Sequence, residues 1–146
     1  RPEFQTYIKN VLANAKILAE TLKNNGFKIY SGGTDTHLML VDLRPFNVKG
    51  NAAAESLCRA NITCNKNGIP FDTESPMVTS GIRLGSQAAT TRGFGLKEFE
   101  KVGELITRVI KGLSKNPNDN SKIEDEVRKE VVDLCSSFPI YKNLNK

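Results

Sequence analysis

The spacing of apolar residues predicts three long amphipathic helices. In residues 4–22, apolar side chains recur every three or four positions, which is the spacing of one helix face. The polar residues and glycine at 24–26 then have the composition of a helix C-terminus. The same spacing predicts a helix within residues 96–113 and a last helix within about residues 121–138, which Pro139 ends.

Shorter apolar runs between these helices predict strands. Residues 27–30 and 37–43 flank a glycine-rich turn at 31–36, and this arrangement is typical of a β-hairpin. The turn could also surround an anion, but it lacks the spacing of a phosphate-binding P-loop and opens no helix. A structural turn is therefore the preferred interpretation.

The middle of the chain supplies one more helix and two more strands. Residues 51–60 are alanine-rich and favour a helix, whereas residues 62–65 and 78–84 favour strands. The segment 66–77 contains a glycine and two prolines and is predicted to be an ordered loop. This order predicts an α+β two-layer sandwich, in which a small, mainly antiparallel sheet of three to four strands packs against helices, with residues 1–146 as a single domain.

The composition fits an ordinary globular domain. The 146 residues are 38% hydrophobic and 25% charged, which is unlike a disordered or membrane-embedded chain. No apolar run approaches the roughly 20 residues that cross a bilayer, and no signal-peptide pattern is visible. Because the chain begins at Arg1 without a methionine, we expect a piece of a longer protein.

The cysteines and the histidine predict neither a disulfide framework nor a metal site. Cys58, Cys64 and Cys135 are odd in number and lack C-x-x-C spacing, and His37 is the only histidine in the sequence. Reduced, structural thiols in a cytoplasmic protein are therefore expected.

One arginine in the fourth predicted strand has the features of a recognition residue. Within SGIRLG, residues 80–85, Arg83 lies between two apolar residues and has a glycine two positions away on either side. A guanidinium on such a stiff support is accessible to another molecule's carboxylate. The commoner alternative is a solvated arginine whose aliphatic part covers apolar surface, and the local pattern leaves both open.

Several phrases together resemble one enzyme family. They are SGGTDTHLMLVDL at 31–43, RANIT and NKN within 59–67, SPMVTSGIRLGS at 75–86, TTRGF at 90–94 and FPIY at 138–141. In this order they resemble the C-terminal small domain of serine hydroxymethyltransferase, a fold-type I pyridoxal-phosphate enzyme, over nearly the whole chain.

The resemblance implies a reaction and its cofactor. The full-length enzyme would convert serine and tetrahydrofolate to glycine and 5,10-methylenetetrahydrofolate with pyridoxal phosphate, as a cytoplasmic homodimer or tetramer without nucleic-acid or membrane partners. The family's large domain carries the lysine that holds the cofactor, and no TTHK-type stretch occurs in this sequence. The chain alone is therefore expected to contain no catalytic residue and to be inactive.

The resemblance also implies roles for individual residues. Arg83 would bind the carboxylate of the amino acid, because its two parallel donors hold a carboxylate in one orientation. Asn67, Ser75, Pro76 and Met77 would line the folate site, with Asn67 on the pterin side. Without the resemblance, Asn67 would be interpreted as an ordinary turn asparagine.

Three further residues are interpreted against the same family pattern. Met77, an adaptable apolar residue, departs from the phenylalanine that relatives often carry, so the resemblance implies no exact folate contact for it. His37 is interpreted as structural, and Arg92 as tying the domain to its partner rather than touching substrate.

Two alternatives stay open at this point. One is the small domain of another pyridoxal-phosphate transferase, against which the folate-type loop argues. The other is a free-standing basic module that binds an anion or nucleic acid, motivated by the net charge of +5. Scattered basic residues and only 7% aromatics argue against this second alternative.

Overall fold

The computed structural model describes residues 2–31, 38–85 and 93–138. In this part of the chain the α-helices are α1 (Pro2–Asn24), α2 (Gly50–Arg59), α3 (Leu96–Lys115) and α4 (Ser121–Ser136). The strands are β1 (Lys28–Ser31), β2 (Leu38–Asp42), β3 (Asn65–Asn67) and β4 (Gly81–Gly85). A short 3-10 helix, Arg44–Phe46, follows β2. The predicted α+β class is confirmed.

The strands form one antiparallel sheet in the order β1-β2-β4-β3. The predicted hairpin is confirmed by the pairing of β1 with β2, which runs from Lys28 opposite Asp42 to Ser31 opposite Met39. β4 is paired on both sides, with β2 and with β3. The last strand in sequence is therefore an interior strand of the sheet.

The third strand begins later than its apolar pattern indicated. Residues 62–65 were predicted to be extended, but β3 is Asn65–Asn67. Asn61 has a φ of 69° and turns the chain at the end of α2, and the Ile62 amide donates to the Leu57 carbonyl at 2.8 Å. Ile62 and Cys64 pack against the core from this turn, which explains why the segment is apolar.

The fourth strand also begins later, at Gly81 rather than at residue 78. Thr79 has a φ of 62°, which no regular strand allows. The carbonyls of Val78 and Thr79 instead accept hydrogen bonds from the first amides of α2, Asn51 and Gly50, each at 2.9 Å. The segment before β4 therefore caps a helix.

The helices cover one face of the sheet. Met39 and Val41 on β2 and Ile82 and Leu84 on β4 are at most 5% exposed and belong to the core formed with the helices. α1 and α3 approach closely at Gly103, where a β-carbon would lie 2.7 Å from Cγ2 of Thr21. The alternate residues of the strands form the opposite face, called here the outer face, and Arg83 belongs to it.

A buried polar cluster joins the helices. The Glu124 carboxylate on α4 accepts hydrogen bonds from Ser56 Oγ at 2.5 Å and from Arg59 Nε and Nη2 at 2.8 and 2.9 Å. Asn120 Nδ2 donates to Ser56 Oγ and to the Val109 carbonyl, both at 3.0 Å. The hydrogen bonds from the Arg59 guanidinium lower the pKa of Glu124 below its usual value. Burial acts to raise this pKa, but its effect is smaller. The cluster thus ties α2, α3 and α4 together.

Candidate functional site

Arg83 lies on the outer face of the sheet, in the middle of a row of three residues paired across β2, β4 and β3. This row is called here the Arg83 rung. Arg83 lies opposite Leu40 of β2 on one side and opposite Asn65 of β3 on the other. Its chain neighbours Ile82 and Leu84 are buried on the helical side, so the alternation of the strand directs Arg83 outward. The side chain is exposed, and the backbone that carries it is paired with a strand on either side.

The flanking glycines leave space around Arg83 on its own strand. Gly81 and Gly85, two residues away on either side, belong to the same face and carry no side chain that could cover the guanidinium. Within residues 2–31, 38–85 and 93–138, no group accepts a hydrogen bond from the Arg83 guanidinium or forms an ion pair with it. Among the described residues, nothing pairs with its fork of donors, a geometry that suits a carboxylate.

A shallow groove lies beside the Arg83 rung. Its volume is about 380 Å³, and it is lined by Lys66, Asn67, Gly68, Asp72, Glu74, Ser75, Pro76 and Thr79. Three of the four residues predicted for the folate site, Asn67, Ser75 and Pro76, therefore lie together. Met77 does not line the groove: it is 73% exposed next to it, and its carbonyl accepts a hydrogen bond from Lys66 Nζ at 2.8 Å.

The register of the sheet places the groove next to Arg83. Asn67 lies directly opposite Gly81, and Arg83 follows Gly81 by two residues on the same face. Asn67 and Arg83 are therefore diagonal neighbours, a relation in which side chains start roughly 7–8 Å apart. The side-chain nitrogen of Asn67, Nδ2, donates to the Gly68 carbonyl at 2.9 Å. The side-chain oxygen of Asn67 accepts no hydrogen bond from the described residues.

Asp72 is a residue of the groove that the sequence interpretation missed. One carboxylate oxygen accepts hydrogen bonds from the amides of Ile69 at 3.1 Å and Ser80 at 2.8 Å. The other accepts from the Glu74 amide at 2.9 Å and from Ser80 Oγ at 2.8 Å. Burial acts to raise the pKa of Asp72, but these donors outweigh it and hold the pKa far below its usual value.

Sequence signals for Asp72 were weak. An aspartate two residues after a proline in a loop is typical of a turn that bonds its own backbone, which accounts for the Glu74 amide. The bonds from Ser80, eight residues farther along the chain, have no sequence signature.

The loop held by Asp72 contains two residues in the left-handed backbone region. Phe71 has a φ of 57° and Thr79 a φ of 62°. For a bulky or β-branched residue this conformation is unfavourable and persists only when surrounding contacts impose it. Phe71 is also 98% exposed, so its side chain gains no packing in return.

The loop closes tightly onto β4 and α2. A β-carbon on Gly81 would lie 2.8 Å from Cγ2 of Ile69 and from the Val41 carbonyl oxygen, and one on Gly50 would lie 2.0 Å from Oγ1 of Thr79. Glycine at these two positions lets the loop lie directly on the strand and on the start of α2.

Other predicted features have varied outcomes. His37 and Arg92 lie outside the described residues. Within the described ranges, no group of histidine, cysteine, aspartate and glutamate side chains could hold a metal ion. Burial raises the pKa of Cys64 to about 11, so this thiol stays protonated at neutral pH.

The helices and lysines of the described residues bear on membrane insertion and on cofactor binding. None of the helices described is both long and apolar enough to cross a membrane. Every lysine there is exposed, whereas a lysine that holds pyridoxal phosphate needs an enclosed setting that adjusts its pKa. The described residues therefore do not, by themselves, fit this cofactor.

Comparison with known proteins gives a consistent result. A family model described as serine hydroxymethyltransferase matches residues 1–106. A serine hydroxymethyltransferase of Pelagibacter ubique (strain HTCC1062) is 85% identical over 144 residues, which are 99% of this chain and 33% of that relative. Relatives of the same name from Marinomonas sp. (strain MWYL1) and Paramagnetospirillum magneticum are 63% and 61% identical, over 97% of this chain and 33% of each relative. The chain thus spans about a third of the length of the curated relatives it matches.

Proposed function

The chain belongs to the serine hydroxymethyltransferase family, and from this premise we propose that it is the C-terminal small domain of an enzyme that converts serine and tetrahydrofolate to glycine and 5,10-methylenetetrahydrofolate. Arg83 and Asn67 support this assignment most directly. Their diagonal placement on one sheet face would hold the amino acid and the folate side by side.

Arg83 is proposed to bind the carboxylate of serine or glycine. Its exposed guanidinium offers two parallel donors, and the two strands that flank β4 fix the backbone from which the side chain extends. A carboxylate bound at both oxygens cannot rotate freely, so the bond to be broken keeps one orientation. A lysine at this position would keep the charge and lose that control.

The groove is proposed to bind tetrahydrofolate. Asn67 offers a carboxamide whose oxygen accepts nothing from the described residues, and amide groups pair well with the alternating donors and acceptors of a pterin. Ser75 and Pro76 form the wall of the groove. Met77, exposed beside the wall, supplies an adaptable apolar surface for the part of folate that leaves the groove.

The cofactor is proposed to be bound by the remainder of the full-length protein. Pyridoxal phosphate supplies an electron sink for the bond that breaks. The part played by this chain is to bind and orient the two substrates, so the chain alone is expected to be inactive. Family membership also supports a cytoplasmic homodimer or tetramer as the full-length form, and it leaves both earlier alternatives without support.

A chimera tests this proposal. This chain would replace the matching third of the Pelagibacter ubique relative, and the chimera would be assayed for tetrahydrofolate-dependent serine cleavage. We expect Arg83→Lys to lower kcat/KM for serine about 100-fold, equivalent to about 2.7 kcal/mol, because the bidentate contact is lost. The KM for tetrahydrofolate should change little.

Arg128→Lys is the matched control, since Arg128 is an arginine of α4 that pairs with Asp125. It should leave all kinetic constants unchanged. Near-normal serine turnover by Arg83→Lys would remove Arg83 from the site. Serine turnover by the isolated chain would contradict the proposal that the remainder of the full-length protein binds the cofactor.

A further inference from the structure

We propose that Asp72 is a positioning residue that sets the shape of the folate groove and fixes it relative to the strand of Arg83. This inference rests on the proposed function. It assigns Asp72 no contact with folate: the residue would act through the loop that it holds.

The geometry of the four hydrogen bonds carries the first step. Each carboxylate oxygen accepts two donors, at distances between 2.8 and 3.1 Å. An ionised carboxylate has about four lone-pair positions. All of them are used, so Asp72 lines the groove but has no acceptor left for a ligand.

The second step concerns where the donors lie. Ile69 follows the groove residues Asn67 and Gly68, and Glu74 immediately precedes the groove residue Ser75. One carboxylate thus joins the two stretches that line the groove, residues 66–68 and residues 74–76. If its bonds are lost, the two walls are free to separate.

The third step links the groove to the sheet. The amide and hydroxyl of Ser80 both donate to Asp72, and Ser80 immediately precedes β4, three residues before Arg83. Ile69 in turn packs against Gly81 at the start of the same strand. Asp72 therefore connects the loop directly to the strand that carries the carboxylate-binding arginine.

The strained residues in the loop strengthen the inference. Phe71 and Thr79 keep left-handed backbone angles that cost energy, and Phe71 is adjacent to Asp72. Hydrogen bonds to an ionised group are about twice as strong as neutral ones. A neutral side chain at position 72 would leave the loop free to relax toward ordinary angles.

The test uses the chimera with this chain in place of the matching third of the Pelagibacter ubique relative. Dissociation constants are measured separately for glycine and for tetrahydrofolate. Asp72→Asn keeps the size of the side chain but turns an NH₂ group toward two of the donors. We expect the Kd for tetrahydrofolate to rise at least tenfold while the Kd for glycine changes less than about threefold.

Asp119→Asn is the matched control. Asp119 also accepts bonds from a serine amide and hydroxyl, those of Ser121 at 3.0 and 2.6 Å, but at the start of α4 rather than at the groove. It should change neither constant. A merely structural carboxylate would behave like Asp119 or would weaken both ligands equally.

A second variant keeps the inference testable if Asp72→Asn does not fold. Ser80→Ala removes one of the four bonds and should raise the tetrahydrofolate Kd about threefold. Where both single variants fold, the effect of the double variant should be smaller than the product of the single effects, because both changes act through one contact.

The outcomes separate this inference from the proposed function. Equal Kd values for tetrahydrofolate in the wild-type chimera and in Asp72→Asn, or in Ser80→Ala if that variant alone folds, would overturn the positioning role only. A parallel rise in both Kd values would do the same. A wild-type chimera that binds glycine but no tetrahydrofolate would overturn the proposed function and this inference with it.

Discussion

Asp72 and Glu124 are carboxylates with several donors and lowered pKa values, yet they serve different parts of the molecule. Asp72 accepts bonds from residues within its own loop and from the residue before β4. Glu124 accepts from two side chains of α2, more than sixty residues away in sequence. The first determines the shape of one groove, whereas the second holds helices together.

This difference shows that a carboxylate with several donors and a lowered pKa can have either a local or a global role. The distinguishing property is the sequence distance of its donors. Removal of a local carboxylate should change ligand binding more than folding, and removal of a global one should do the reverse. The Kd values of Asp72→Asn test the effect of the local carboxylate on ligand binding. Stability measurements on other variants test the effect of each carboxylate on folding.

The largest effect on folding is expected from Glu124→Ala. Loss of this carboxylate leaves Ser56 and the Arg59 guanidinium without their acceptor. We expect the free energy of unfolding, measured by urea titration of the chain, to fall by about 2–3 kcal/mol. This is less than the roughly 3–5 kcal/mol for breaking a fully buried pair, because the Arg59 side chain is 55% exposed and water screens its charge.

Glu126→Ala is the control for that variant. Glu126 lies on the same helix, but it is exposed and its ion pair with Arg108 is long, at 3.6 Å. Its loss should cost less than about 0.5 kcal/mol. If Glu124→Ala were as mild as Glu126→Ala, the polar cluster would have no global role.

Lowering the pH is expected to have an intermediate effect on the free energy of unfolding. The pKa values of Asp72 and Glu124 are lowered in the folded chain, so the unfolded chain takes up protons first as the pH falls. The stabilisation by each carboxylate is complete above about pH 5 and is lost as the pH falls through the folded-state pKa. Each group adds at most about 1.4 kcal/mol per pH unit to the slope.

Stability profiles of two variants between pH 6 and about pH 2 check this expectation. Asp72→Asn and Glu124→Gln should each be less stable than the wild type at pH 6 and should each give a flatter profile below pH 5. Equal slopes for wild type and both variants would mean that neither carboxylate contributes to the acid response.

The smallest effect is expected from Phe71→Asn. Asparagine tolerates the left-handed region better than phenylalanine does, and the Phe71 side chain is 98% exposed, so no packing is lost. We expect urea titration to show a gain of about 0.5–1 kcal/mol. Met77→Asn is the control, since Met77 is 73% exposed and is not among the residues with positive φ, and it should be neutral within about 0.3 kcal/mol.

Much of the fold was predictable from the sequence because its helices are amphipathic. The periodic apolar residues of α1, α3 and α4 face one core, so spacing alone located these helices and the α+β class was confirmed. The third and fourth strands were placed too early. Ile62 and Cys64 are apolar because they pack against the core from a turn, which alternation cannot distinguish from a strand. Val78 and Thr79 instead use their carbonyls to cap α2.

The site was predictable only in part. The family resemblance, which the comparisons confirm, supplied Asn67, Ser75 and Pro76, and these residues do line one groove. The diagonal placement of Asn67 and Arg83 depends on the register of β3, which no local pattern encodes. Roles for Arg83 and the groove residues stay predictions until the substitutions above are measured.

The interior position of β4 has a consequence for hydrogen exchange. Amides in a strand that is paired on both sides exchange with solvent only when a large part of the sheet opens. The β4 backbone around Arg83 should thus be among the slowest-exchanging parts of the chain, whereas the three-residue edge strand β3 and the loop after it should exchange sooner. The β4 backbone would then stay in place when a substrate carboxylate binds. The guanidinium would adjust to the carboxylate only by rotation of the Arg83 side chain.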